Sequence, residues 1–122
     1  MKGATVPLIL LPRYTSYVGT SGYFFTTVPM DVTEYEGGTF YLWRGKALGG
    51  SPAVWVWVEE STDAETWTLV GSAPAKIVTV EDNRQRVDLA FQKKWFRLRI
   101  ELQGTDVAVS CWAIGTLTTR VS

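Results

Sequence analysis

The chain has 122 residues and a mass of 13.6 kDa, the usual size of a single domain with its own hydrophobic core. Twelve basic and twelve acidic side chains give a formal net charge of zero, which removes the electrostatic footprint of a nucleic-acid-binding protein. The chain has no histidine and one cysteine, Cys111, so an internal disulfide and a zinc site of cysteines and histidines are excluded. We expect a non-enzymatic protein without catalytic residues, cofactors or metals, in which Cys111 is a small buried hydrophobe.

The N-terminal segment contains a short apolar run that Pro7 and Pro12 interrupt. This run is too short for the core of a signal peptide and far too short to span a bilayer, so we expect cytoplasmic synthesis and no membrane partner. Residues 1–38 carry most of the tyrosines and few charges. We interpret residues 1–22 as an extended N-terminal arm and residues 23–122 as a β-sandwich domain.

Segments that alternate with a period of two predict strands along the chain. In chain order they are Val6–Leu11, Tyr23–Val28, Thr39–Arg44, 53–60, Trp67–Gly71, Lys76–Val80, Arg86–Phe91, 95–102, 107–115 and Leu117–Val121. Turn-forming residues separate them at 37–38, 49–52, 61–65, 72–74, 81–83 and 104–106. The pattern predicts an all-β protein: an antiparallel, jelly-roll-like β-sandwich of about eight to ten short strands, with a small barrel as the alternative.

Two tryptophans stand out in the strand at 53–60, where Val54 and Val56 alternate with Trp55 and Trp57. If the valines face the core of a two-layer sandwich, both indoles point outward, and large exposed aromatic rings cost stability and promote aggregation. Three interpretations follow. A reversed register would put the indoles in the core, the arm or a partner protein would cover them, or a sugar ring would stack on them.

A later strand places Trp95, Arg97 and Arg99 together on one face. If it neighbours the strand that carries the two tryptophans, the guanidinium groups can stack on indoles and pair with Glu59 or Glu101. Arginines around aromatic anchors are typical of protein interfaces, although an ordinary solvated face shows the same pattern. The candidate partner-binding residues are Trp55, Trp57, Trp95, Arg97, Arg99 and, in the arm, Tyr14 and Tyr17.

Carboxylates cluster in the segment 59–67. Its residues Ser61, Thr62 and Asp63 are typical of a hairpin turn whose side chains satisfy their own backbone. A calcium site or a pair of carboxylates for glycoside cleavage is the alternative, but the spacing matches no calcium loop. We therefore expect a structural turn and no metal.

Several stretches of the sequence carry a resemblance to a known group. They are Tyr41-Leu42-Trp43-Arg44-Gly45, Val54–Trp67, Lys94–Ile100, Gly104-Thr105-Asp106 and Val109–Ala113. Together they resemble small β-sandwich structural proteins of tailed bacteriophages and prophages, in which a Glu-Ser-Thr-Asp-like turn before a tryptophan and a Trp-Phe-Arg strand recur. The outline is also similar to discoidin-like and carbohydrate-binding sandwiches. The likeness covers roughly residues 20–115.

This resemblance implies a non-enzymatic virion component: a capsid decoration or cement protein, or a minor head or tail protein, made in the host cytoplasm. The implied partner is the major capsid protein or another virion structural protein, bound through the aromatic surface and the N-terminal arm. A homo-oligomer on the particle is expected, and the neutral charge suits a coat protein rather than one that contacts packaged DNA. The alternative is a carbohydrate-binding module of a phage tail or particle surface, with Trp55 and Trp57 as the stacking platform for a glycan.

Overall fold

A computed structural model of the chain shows an all-β protein built from antiparallel strands, which confirms the predicted fold class. The structure describes residues 3–121, except the side chain of Asn83; Met1, Lys2 and Ser122, which the predicted arm and domain include, lie outside the described residues. The described part contains nine strands: β1 Thr5–Leu11, β2 Ser16–Gly19, β3 Tyr23–Thr26, β4 Met30–Asp31, β5 Tyr35–Ser61, β6 Thr68–Leu69, β7 Lys76–Val78, β8 Asn83–Ala90 and β9 Trp95–Thr119.

Two long strands, β5 and β9, form the centre of the sheet. They pair antiparallel from Tyr35 opposite Thr119 to Ser61 opposite Trp95. The short strands line up along their outer edges, with β1 to β4 on β9 and β6 to β8 on β5. The strand number agrees with the sequence, but the prediction that every strand is short was wrong for these two.

The long strands bend where the sequence predicted turns. In β5 the register shifts repeatedly between Arg44 and Ala53, and Gly49 has a φ of 105°. On β9 the bend contains Gly104 with a φ of 120° and Asp106 with a φ of 47°. Bulges and left-handed residues sharpen the twist of a strand without ending it. The segments predicted as turns at 49–52 and 104–106 are therefore bends, and the strands on either side of each are continuous.

The bends curl the sheet so that its inner face encloses a single hydrophobic core. This core joins Phe40 and Leu42 from the first half of β5 with Val54 and Val56 from the second half. Trp55 and Trp57 alternate with these valines and lie half-buried on the outer face. The outward direction of the two indoles is thus confirmed, and the interpretation with a reversed register is wrong.

The N-terminal segment is part of the sheet. Strand β1 pairs with the C-terminal end of β9, and β2 pairs with the middle of β9. Leu8, Leu10 and Leu11 belong to the core, and Ala4 and Thr119 exchange hydrogen bonds. The structure therefore shows no boundary at residue 23, because the segment predicted as an arm supplies both backbone pairing and buried side chains to the same unit.

The described residues contain no helix of the length and hydropathy needed to cross a membrane.

Candidate binding surfaces

The outer surface of the sheet half that holds the second part of β5 and the first part of β9 carries a row of side chains across four strands, apolar except at Glu101. Phe24 on β3 lies opposite Glu101 on β9, Glu101 lies opposite Trp55 on β5, and Trp55 lies opposite Ile77 on β7. Next to this row, Trp57 lies opposite Arg99. We call this surface the tryptophan face and define it by Phe24, Trp55, Trp57, Glu59, Ile77, Arg97, Arg99 and Glu101.

Both arginines of the tryptophan face are paired with glutamates. Nε of Arg97 donates to Oε1 of Glu59 at 2.9 Å, across the two long strands. Nη2 of Arg99 lies 3.1 Å from Oε1 of Glu101 on the same strand. Pairing with both glutamates is as predicted. The four charges cancel, and the pairs are largely desolvated, since the Glu59 side chain is only 9% exposed.

The guanidinium groups also stack on aromatic rings: Arg97 lies over an indole, as predicted, whereas Arg99 lies over a phenylalanine. Cζ of Arg97 lies 4.1 Å from the ring centroid of Trp67, in the loop after β5, and Cζ of Arg99 lies 4.1 Å from that of Phe24. Such contacts contribute about 0.5–2 kcal/mol each. They fix the positions of the two guanidinium groups beside the glutamates with which they pair.

Part of the tryptophan face remains open to solvent. Phe24 and Ile77 are each 50% exposed, at opposite edges of the row. In the neighbouring register pair, Nε1 of Trp57 and Nε of Arg99 are buried without a hydrogen-bond partner among the described residues.

The other predicted site residues lie at the margin of the tryptophan face or away from it. Trp95 begins β9 on the same outer surface, with Nζ of Lys94 5.9 Å from its ring. Tyr17 stacks on Phe25 at 4.8 Å and packs against the core, so its ring serves the interior of the protein. Burial, and to a lesser degree the nearby Cys111 thiol, raise the pKa of Tyr17. Neither predicted tyrosine joins the tryptophan face.

Tyr14 borders a separate cleft on the outer surface of the other sheet half. This cleft has a volume of about 470 Å³ and is lined by Arg13, Tyr14, Thr15, Trp43, Lys46, Ser110, Cys111 and Trp112. Trp43 and Trp112 are register partners, with ring centroids 5.9 Å apart and planes within 16°. We call it the indole cleft. Sequence reasoning missed it as a site.

Two features fix the orientation of Trp43. Its Nε1 donates to Oδ1 of Asp82 at 2.9 Å. Its six-membered ring lies over Gly45, where any Cβ would collide with it. From the sequence, the alternation of Trp43 with Leu42 could have indicated that the Trp43 ring points outward, since Leu42 is buried. Its position beside Trp112 follows only from the pairing of the two long strands.

The acidic segment forms the predicted turn. Ser61 Oγ accepts from the backbone of Ala64, and Oδ1 of Asp63 accepts from the backbone of Glu65 and Thr66. Together with the Ser61 hydroxyl, these bonds hold the pKa of Asp63 below its ordinary value, the Thr66 amide most strongly. Within residues 3–121 no group of three metal-binding side chains lies together.

No family model matches the chain, and no curated protein sequence matches it. Among solved structures, the chain is similar to the crystal structure of dimeric latent PorU from Porphyromonas gingivalis, with 12% sequence identity and a TM-score of 0.49. The match covers 98% of this chain and 13% of that chain, so the chain spans a small part of the length of that protein.

Proposed function

We propose that this protein is a non-enzymatic structural protein of a virion, a capsid decoration or cement protein that docks on shell subunits through the tryptophan face. The observation that carries the proposal is the outward position of Trp55 and Trp57 within a charge-neutral aromatic surface. The sequence resemblance to phage structural sandwiches supplies the class of partner.

The composition of the tryptophan face suits a protein partner. Tryptophan and arginine are the residues most enriched among those that dominate binding energy at protein interfaces. Arg97 and Arg99 are already paired and stacked, so docking does not have to desolvate free charges. The half-exposed Phe24 and Ile77 offer apolar area at the edges of the row.

The N-terminal segment plays a smaller part in this proposal than the sequence suggested. Strands β1 and β2 both pair with β9 in the sheet. If these strands left the sheet to pair with a neighbouring protein chain, Leu8, Leu10 and Leu11 would lose their place in the core and become exposed. The proposed docking surface is therefore the sheet face alone.

The test is the retention of single variants on purified particles that have been stripped of this protein. Trp57→Ala should keep the fold, because the ring lies outside the core, yet weaken occupancy more than about tenfold. Trp112→Ala on the other sheet half is the matched control and should retain occupancy. Unchanged occupancy of Trp57→Ala, with a normal thermal transition, would contradict the proposal.

A glycan platform on the same face is the competing proposal. The observation in its favour is that Trp55 and Trp57 lie half-buried beside Arg99 and Glu101, whose polar atoms could bind sugar hydroxyls. Glycan-array binding that disappears with Trp55→Ala, with capsid occupancy unaffected, would favour it over docking on a shell protein.

A further inference from the structure

The indole cleft differs in charge from the tryptophan face. Its lining includes the cations Arg13 and Lys46 and no carboxylate. In the part of the chain that the structure describes, neither cation forms an ion pair, whereas Arg97 and Arg99 both do. Asp82, which accepts a hydrogen bond from the indole N–H of Trp43, is not among the residues that line the cleft. The cleft therefore presents two cations without an ion-pair partner beside aromatic rings.

The aromatic part of the cleft is held in place before any ligand binds. Trp43 is fixed by its hydrogen bond to Asp82 and by its packing over Gly45, and Trp112 stacks alongside it. Arg13 places its guanidinium 4.5 Å from the ring centroid of Trp112. A preorganised site loses less conformational entropy on binding than a flexible one.

Tyr14 adds a second aromatic edge at a cost to the backbone. Its φ is 63°, a left-handed conformation that costs a non-glycine residue on the order of 1 kcal/mol. Its ring is fully exposed, so no packing within the described chain repays that cost. A ligand in the adjacent cleft would bury this ring.

We propose that the indole cleft binds an acidic saccharide, with a pyranose ring stacked on Trp43, beside the Trp112 ring that Arg13 covers, and its carboxylate bound by Arg13 and Lys46. The C–H face of a sugar ring carries partial positive charge and is attracted to the negative face of an indole. Guanidinium and ammonium groups bind carboxylates with charge-assisted hydrogen bonds. A volume of about 470 Å³ lies in the range of small-ligand sites.

A nucleic acid fits the cleft less well. Its affinity rests on neutralising many phosphates along a backbone, and the cleft supplies two cations on a chain of zero net charge. The proposal is also independent of docking through the tryptophan face, since the two surfaces lie on opposite halves of the curled sheet.

The experiment is calorimetric titration of the full chain with two matched probes. One is a hyaluronan tetrasaccharide, which carries glucuronate, and the other is the same tetrasaccharide with its carboxylates reduced to alcohols; oligosialic acid serves as a second acidic probe. We expect an acidic probe to bind at least about tenfold more tightly than the neutral one. Lys46→Gln should remove most of this preference, and Trp43→Ala should weaken the binding of both probes.

Lys94→Gln, at the residue that precedes β9, is the charge-matched control and should leave the preference unchanged. Lys46 is exposed, so its variant should fold normally even if Trp43→Ala does not. Equal affinity for the acidic and reduced probes overturns the proposal, as does no binding of either acidic probe in the millimolar range. Loss of the preference for the acidic probe in Lys46→Gln, with full particle occupancy, separates this site from the proposed docking function.

Discussion

Arg44 and Cys111 lie on the inner face of the sheet and show how single residues are accommodated in this core. They are register partners on the two long strands, and both are nearly fully buried. Arg44 is tied by a hydrogen bond of 2.8 Å from Nη1 to the carbonyl of Thr79. Burial raises the pKa of the Cys111 thiol to about 12. The cysteine is thus an uncharged, unreactive hydrophobe, as its alternation with valines predicted.

This raised pKa makes stability depend on alkaline pH. The unfolded thiol loses its proton near pH 9 and the folded one near pH 12, so the folded state binds more protons between these values. Stability from Cys111 is complete below about pH 9 and falls by about 1.4 kcal/mol per pH unit above it. Urea unfolding of the wild type and of Cys111→Ala at increasing pH measures the difference.

The lost volume in Cys111→Ala lowers stability by a constant amount at every pH, so only the slopes need comparison. Tyr17, whose pKa is raised chiefly by burial, contributes to the alkaline slope of both proteins, and only the smaller part that it owes to the Cys111 thiol is lost with the cysteine. Parallel curves for the two proteins would contradict the assignment of the slope to the thiol.

At the level of elements, alternation predicted the faces of the strands but not their lengths. The period of two placed Val54 inward and Trp55 outward, because side-chain direction depends on local geometry alone. Gly49 and Gly104 could not be assigned in the same way. Glycine serves a hairpin turn and a bulge equally well through its positive φ, and only pairing with the partner strand distinguishes the two.

Glycine at position 115 is required by the close approach of the two long strands. A Cβ there would collide with the Thr39 carbonyl and the Phe40 Cα, both backbone atoms of β5. Gly115→Ala should therefore lower the free energy of unfolding by about 2 kcal/mol or more. Gly50→Ala is the control, since its nearest neighbour is Thr105 Cβ at 3.4 Å and its φ is not left-handed.

Denaturant titration should place Gly50→Ala within about 0.5 kcal/mol of the wild type. If both variants unfold at the same urea concentration, the close contact between β5 and β9 at this position is not a constraint on the sequence.

For the whole molecule, the candidate surfaces depend on contacts between distant parts of the chain. The sequence could predict Trp55, Trp57, Arg97 and Arg99 as an outward set, because each lies on a clearly alternating strand. It could not predict the indole cleft. That site needs residues near positions 13, 43 and 112 to meet, and only the register of β5 with β9 and the path of the loop between β1 and β2 bring them together.

For the N-terminal segment, the sequence predicted a separate arm where the structure has a strand of the sheet. Its prolines and its few charges are typical of a linker, yet Pro7 lies in β1 at the edge of the sheet. An edge strand tolerates proline, because the N–H groups on its open side have no neighbouring strand to which they could donate a hydrogen bond. The segment therefore closes the sheet against the last strand, with Thr5 opposite Thr118.

This closure predicts that the first strand is indispensable to the fold. Leu8 is 1% exposed and Ile9 is 64% exposed, although they are neighbours. Leu8→Ala should cost about 2–5 kcal/mol, whereas Ile9→Ala should cost less than about 1 kcal/mol. A chain that lacks residues 1–12 should show no cooperative unfolding transition, because it loses Leu8, Leu10 and Leu11 from the core together with the pairing of β1. Circular dichroism during thermal unfolding measures all three. If the truncated chain instead melts cooperatively near the melting temperature of the wild type, the interpretation of a separate arm is correct after all. The N-terminal segment would then be available to contact a neighbouring protein.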